Sequence, residues 1–169
     1  PFIRTPNFDR MAREGMRFTS FYAQPVCGPS RAALMTGCYP IRVAEPGNKK
    51  NQHTVLHPKE ATIAEVLKDA GYATALIGKW HLAGGRSKKY NPKLMPNAQG
   101  FDYFFGTPLH NGFTRTVNHK SFKTQLMRNE KILEDALDQK GMDSLTRDYT
   151  REAVKFIRGN KDRPFFLYL

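Results

Sequence analysis

Apolar positions recur at helical spacing in several stretches of this chain and run almost unbroken in others. Phe8, Met11 and Ala12 share one face behind Thr5-Pro6, with Thr5 in the N-cap place, Pro6 in the first turn and Gly15 as the stop. Ile63, Val66, Leu67 and Ala70 repeat that spacing after Thr62 and Glu65, which form a capping box, and Gly71 closes the helix. Leu145, Tyr149, Ala153, Phe156 and Ile157 make a third stripe, opened by Asp143 or Ser144 and ended by Gly159. Met16 to Tyr22, with Phe18 and Phe21 its largest apolar members, reads as a strand. Tyr72 to Ile77 is nearly continuous in apolar residues, as a strand covered on both faces should be, and Phe165 to Leu169 reads as a last buried strand.

The unit of helix, glycine, strand and polar residues therefore occurs twice, which predicts an α/β fold with a mixed, mostly parallel sheet flanked by helices. Between these elements, Tyr39 to Lys59 reads as an irregular surface excursion and Arg86 to Pro96 as loop. Gly100 to Gly106 is aromatic and suits a short strand or packed turn. His110 to Lys123 has no period, and Met127 to Leu133 suits part of a hairpin.

The chemistry concentrates where the first strand gives way to a short apolar run, at Pro25-Val26-Cys27-Gly28-Pro29-Ser30-Arg31-Ala32-Ala33-Leu34-Met35-Thr36-Gly37. Pro29 suits the first helical position and Gly37 the residue past the end. Cys27 then lies against a helix N-terminus, where free N–H groups and the macrodipole favour negative charge. Arg31, one turn on, adds a planar fork of donors suited to an oxyanion. In α/β folds, loops at the ends of strands are where sites form.

Composition changes this picture little. The chain has 169 residues, enough for one domain with a core, and 27 Lys and Arg against 15 Asp and Glu give a net charge of +12. Such a balance suits nucleic acid, an anionic membrane or a polyanionic substrate, but the charges are scattered, with small clusters only at Lys49-Lys50 and Arg86, Lys88 and Lys89. No run has the apolar length to span a bilayer. Two cysteines, Cys27 and Cys38, make no disulfide framework.

The Cys-x-Pro-x-Arg turn, with its small and apolar residues and closing Thr-Gly, resembles the signature of the sulfatase family. Gly71-Tyr72-Ala73-Thr74-Ala75-Leu76-Ile77-Gly78-Lys79-Trp80-His81 is similar to the family's other signature, in the same order along the chain. Thr5-Pro6-Asn7-Phe8-Asp9-Arg10, Gly100-Phe101-Asp102 and Arg128-Asn129-Glu130 extend the resemblance, which is to the arylsulfatase branch, over nearly the whole length. The resemblance implies an alkaline-phosphatase-like fold. It also implies that residues 1–169 are an internal part of one catalytic domain, truncated at both ends, that alone binds metal poorly and turns over little. Family members are commonly lysosomal, secreted or periplasmic.

By the same resemblance, a formylglycine-generating enzyme oxidises Cys27 to formylglycine (3-oxoalanine), an aldehyde. One hydroxyl of its hydrate attacks the sulfur of a sulfated small-molecule or carbohydrate substrate and expels the alcohol; deprotonating the other then ejects sulfate and restores the aldehyde, which is covalent catalysis with a built-in second step. Arg31 would hold residue 27 and neighbouring anions, Lys79 would clamp a sulfate oxygen, and His81 would act as the base for sulfate release. His81 shares a face with Lys79 if the strand continues, and Trp80 between them is expected to pack. His110 stands where relatives place a small polar residue on the sulfate; with Asn111 it is a departure from the pattern. The family's calcium would be held by residue 27 as formylglycine, with its other ligands outside this chain.

Bland readings stand beside these: a buried structural thiol or a Cys27–Cys38 pair, an exposed Arg31, a snorkelling Lys79 and a structural His81. Cys27, Cys38, His53 and His57 occur in zinc-finger order, but the cysteines lie too far apart for a finger. With the net charge this gives a basic nucleic-acid-binding module as one alternative. A phosphatase or phosphodiesterase of the same superfamily is another, and a non-catalytic relative a third.

Overall fold

The computed structural model describes residues 3–43, 55–84, 90–109 and 124–169. Its helices are α1 (Pro6–Glu14), α2 (Cys27–Thr36), the single turn α3 (Pro40–Val43), α4 (Ile63–Asp69) and the long α5 (Gln139–Asn160). Its strands are β1 (Ala73–Lys79), β2 (Tyr103–Thr107), β3 (Leu126–Arg128), β4 (Lys131–Glu134) and β5 (Phe165–Tyr168). The strands form one sheet in the order β4-β3-β2-β1-β5. β1 pairs in parallel with β2 and with β5, whereas the β2–β3 and β3–β4 pairings are antiparallel. The sheet is thus mixed, as expected, with two parallel and two antiparallel pairings, a tight hairpin turning at Asn129 and Glu130 supplying its far edge.

β1 is the centre of the molecule. From Ala73 to Gly78 it is buried throughout, and successive side chains alternate between two cores as the pleat requires. Leu76 joins Ala32, Met35, Ala64, Trp80, Phe101 and Phe104 on the side of α2 and α4. Ile77 joins Phe105, Leu126, Leu145 and Ala153 beneath α5. The result is a three-layer α/β arrangement with β1 reaching the site from its middle.

Two glycines set how β1 and β2 end. Gly78 and Gly106 are register partners. A Cβ on Gly106 would lie 2.6 Å from the Gly78 carbonyl carbon and 2.8 Å from its nitrogen, and nearer still to its oxygen. Gly78 itself has φ of 121°, a conformation L side chains rarely adopt. The backbones can meet this closely because Gly106 carries no side chain; a Cβ on Gly78 would meet nothing within 4 Å, so there it is the torsion that calls for glycine.

Several local expectations hold. Thr62 and Glu65 form the full capping box, and Gly37 ends α2 in the left-handed conformation. The hairpin is present, and Trp80 packs edge-on to Phe101 while its indole N–H donates to the Leu94 carbonyl.

Others are corrected. Met16 to Tyr22 is not a strand: no described strand lies beside it, and Phe18, Phe21 and Tyr22 are exposed, as are Phe8 and Met11 on α1. Extended backbone becomes a strand only when a neighbour takes up its hydrogen bonds. Thr5 bonds the Asp9 side chain instead of capping the α1 backbone. In α4 it is Ala64 that is buried, while Ile63 and Val66 of the expected stripe are exposed. The excursion after Tyr39 is buried at its two ends, at Val43 and Leu56, and residues 44–54 lie outside the described residues. Two 3-10 turns, Pro92–Leu94 and Pro96–Ala98, interrupt the expected loop.

At the other end of the chain, α5 starts earlier than expected. The Asp138 side chain accepts from the Gly141 N–H, so Asp138 rather than Asp143 or Ser144 is the cap, and the helix continues through Gly159 to Asn160. β5 is half-buried, being paired on one edge only. No helix among the described residues is long and apolar enough to cross a membrane.

Candidate active site

Cys27 is the first residue of α2, with Val26 extended in the N-cap place, so Pro29 falls two residues later than the sequence pattern suggests. The turn is held by Ser30, whose hydroxyl donates to the Gln24 carbonyl at 3.0 Å and to the Val26 carbonyl at 2.9 Å. Gly28 and Pro29 are buried beneath, and Cys27 remains exposed. The residue that would react is thus presented to solvent by a rigid, packed turn.

The end of β1 comes to meet it. Lys79 is the last residue of the strand, and the chain turns sharply at His81, whose φ of 67° is uncommon for a residue with a side chain. Trp80 and His81 donate their backbone N–H groups to the carbonyls of Thr107 and Pro108, which fixes the turn against the end of β2. The His81 ring then lies with Nδ1 3.4 Å from Cys27 Sγ, across 54 residues of sequence. Lys79 and His81 converge on Cys27 through this turn, not through continued strand alternation.

Lys79 is half-buried. Burial pushes its ammonium below the usual lysine range; Cys27 opposes this by charge attraction and a hydrogen bond, while the Arg31 charge adds to the lowering. Arg31 reaches back from α2 and donates through Nη1 to the Lys79 carbonyl at 2.6 Å and to the Tyr168 hydroxyl at 2.9 Å. Cys27, Arg31, Lys79 and His81 therefore form one cluster. His110 and Asn111 lie outside the described residues, as does His53 of the finger-order set, and Cys38 is an exposed free thiol. Tyr168 is the member that sequence reasoning missed. Its signal was weak: a phenol on a strand end has a polar tip needing a partner, and so does a half-buried arginine.

The cluster is rich in donors. Two cations and an imidazole around an exposed sulfur suit a tetrahedral oxyanion, whose negative oxygens take charge-assisted hydrogen bonds. A hard cation needs the opposite, several oxygen ligands. Among the described residues no group of three or more His, Cys, Asp or Glu side chains is placed to hold a metal, so these residues do not by themselves fit the expected calcium.

The mixed α/β sheet flanked by helices places the chain in the alkaline-phosphatase-like fold class, shared by the solved structures it matches. Within that class the chain belongs to the sulfatase family, whose model matches residues 1–169. It is 38% identical to N-acetylgalactosamine-6-sulfatase of Canis lupus familiaris, over 99% of this chain and 34% of that protein. It is likewise 38% identical to an arylsulfatase of Hemicentrotus pulcherrimus, over 95% of this chain and 31% of the other. Among solved structures, PsFucS1 sulfatase from Pseudoalteromonas sp. superposes with a TM-score of 0.73 at 30% identity, covering 97% of this chain and 37% of that one. The chain spans about a third of the length of the curated relatives it matches.

Proposed function

We propose that this chain carries the nucleophile half of a sulfuric ester hydrolase that removes sulfate from a sulfated carbohydrate or aryl ester, within a single catalytic domain that continues beyond it. The observation that carries the reading is the convergence of Lys79, His81 and Arg31 on Cys27 from two separate signatures. The naming of relatives as N-acetylgalactosamine-6-sulfatases favours a sugar substrate. So does the likeness to BT4656, solved with its substrate D-glucosamine-2-N,6-O-disulfate, at a TM-score of 0.62 and 26% identity.

When oxidised to formylglycine by a formylglycine-generating enzyme, residue 27 supplies a hydrated aldehyde as nucleophile. Its exposure on the α2 turn leaves it accessible to that modification. His81, beside it, is placed to take a proton from the group at position 27. Lys79 offers a positive charge to a sulfate oxygen, and its half-buried setting strengthens that charge relative to open water. Arg31 adds a second charge and braces the Lys79 backbone. A calcium, where the family places one, would need carboxylates beyond the described residues.

The test is peptide mass and turnover together. In full-length protein co-expressed with the formylglycine-generating enzyme, the Cys27 peptide should carry the mass of the aldehyde. Sulfate should be released from 4-nitrophenyl sulfate or a sulfated monosaccharide, and Cys27→Ala should abolish turnover, a loss on the order of 10³-fold or more. An unmodified cysteine in active enzyme would overturn the mechanism. Faster cleavage of 4-nitrophenyl phosphate than of the sulfate would assign the site to phosphate esters.

A further inference from the structure

We propose that Tyr168 is a positioning residue for Arg31, and through it for the reacting group at position 27; the proposal rests on the reading of position 27 given above. β5 is an edge strand of the sheet among the described residues, and Tyr168 is paired with Leu76 of β1 on the face that α2 covers. From there it meets the arginine in two ways. Its hydroxyl accepts from Arg31 Nη1 at 2.9 Å, and its ring lies under the guanidinium, with Cζ 5.7 Å from the ring centroid.

The same Nη1 donates to the Lys79 carbonyl at 2.6 Å. Both hydrogens of that nitrogen are then committed, one to β1 and one to β5. A planar guanidinium pinned at one corner to two strands of a rigid sheet cannot rotate its fork. Its opposite edge is thereby aimed: Nε is buried and has no hydrogen-bond partner among the described residues. That edge is kept for an acceptor arriving with the substrate or its site, and its direction is set by the two contacts on Nη1. One of them is a backbone carbonyl that no side-chain change removes. Tyr168 is the other, so the phenol is what holds the fork's angle.

Tyr168→Phe keeps the ring and removes the hydroxyl alone. In matured full-length enzyme it should lower kcat about tenfold with KM changed less than about twofold, the loss expected when one hydrogen bond to a charged group stops orienting it. Its thermal midpoint should stay within about 2 °C of wild type, since the ring still packs. The decisive readout is the cycle with Arg31→Lys, an ammonium that cannot be pinned in this way: in that background Tyr168→Phe should cost no further activity. Wild-type kcat in Tyr168→Phe, or losses that simply multiply in the double variant, would overturn the proposal while an inactive Cys27→Ala left the sulfatase reading intact. Full activity in Cys27→Ala would remove the reading itself.

Discussion

Replacing Gly106 with alanine tests how the site is built without touching any group that reacts. The added methyl would sit 2.6 Å from the Gly78 carbonyl carbon and 2.8 Å from its nitrogen. That is roughly 1 Å short of the ~3.5 Å at which carbon contacts turn favourable. All the atoms it meets are backbone of the adjacent central strand, which cannot swing aside as a side chain would. β1 and β2 must separate at their register pair, at a cost of about 3 kcal/mol, the upper end of ordinary overpacking. With a urea m-value of about 3 kcal/mol/M this lowers the unfolding midpoint by about 1 M.

Separation at Gly78 also displaces Lys79 and His81, so kcat should fall by about 10²-fold even at temperatures where the variant stays folded. Gly159→Ala is the matched control. It lies in the last turn of α5 with nothing within 4 Å of the added Cβ, and should gain about 0.5–1 kcal/mol through helix propensity. A Gly106→Ala protein with the wild-type urea midpoint and kcat would refute the claim that this contact sets the strand ends.

Two pH dependences follow from the charges. Lys79 must stay protonated to clamp an anion, and its proton is lost at lower pH than in an ordinary lysine because of burial, so activity should decline on the alkaline side. Lys79→Arg, with a guanidinium that keeps its proton, should move that decline upward in the pH–rate profile of whatever activity remains. Asp102 is held below the usual carboxylate range although its burial acts to raise it, because the Lys68 ammonium at 2.8 Å and the Thr74 backbone N–H and hydroxyl outweigh that burial. A depressed folded-state pKa stabilises the protein above the unfolded carboxylate's value and is lost as pH falls through the folded one. The acid limb of the melting curve between about pH 5 and 2 should therefore be shallower in Asp102→Asn than in wild type.

What could be read from the chain was whatever its neighbours in sequence decide. The Thr62–Glu65 capping box closes within one helical turn, β1 needs only its unbroken apolar run, and the hairpin turns on two adjacent residues. The four side chains Cys27, Arg31, Lys79 and His81 were legible as types, but their meeting was not. Alternation placed Lys79 and His81 on one face of a continuing strand, whereas Gly78 and the left-handed turn at His81 end the strand and bring both to Cys27. Met16 to Tyr22 failed for the opposite reason, since β-pattern is necessary for a strand and a partner edge is what makes one. Asp143 and Ser144 stand next to the apolar stripe, whereas the cap forms earlier, at Asp138, where Gly141 supplies the N–H that it binds. Tyr168 carried only the weak mark of a phenol on a strand end: its role exists only once β5 has docked beside β1.

The left-handed backbone at His81 shapes what mutagenesis there can report. Alanine at that position deletes the imidazole and also forces a methyl-bearing residue to keep a torsion it disfavours by about 1 kcal/mol or more, so chemistry and conformation are removed in one stroke. Asparagine tolerates the same torsion and lacks only the ring, which makes it the cleaner eraser of the two.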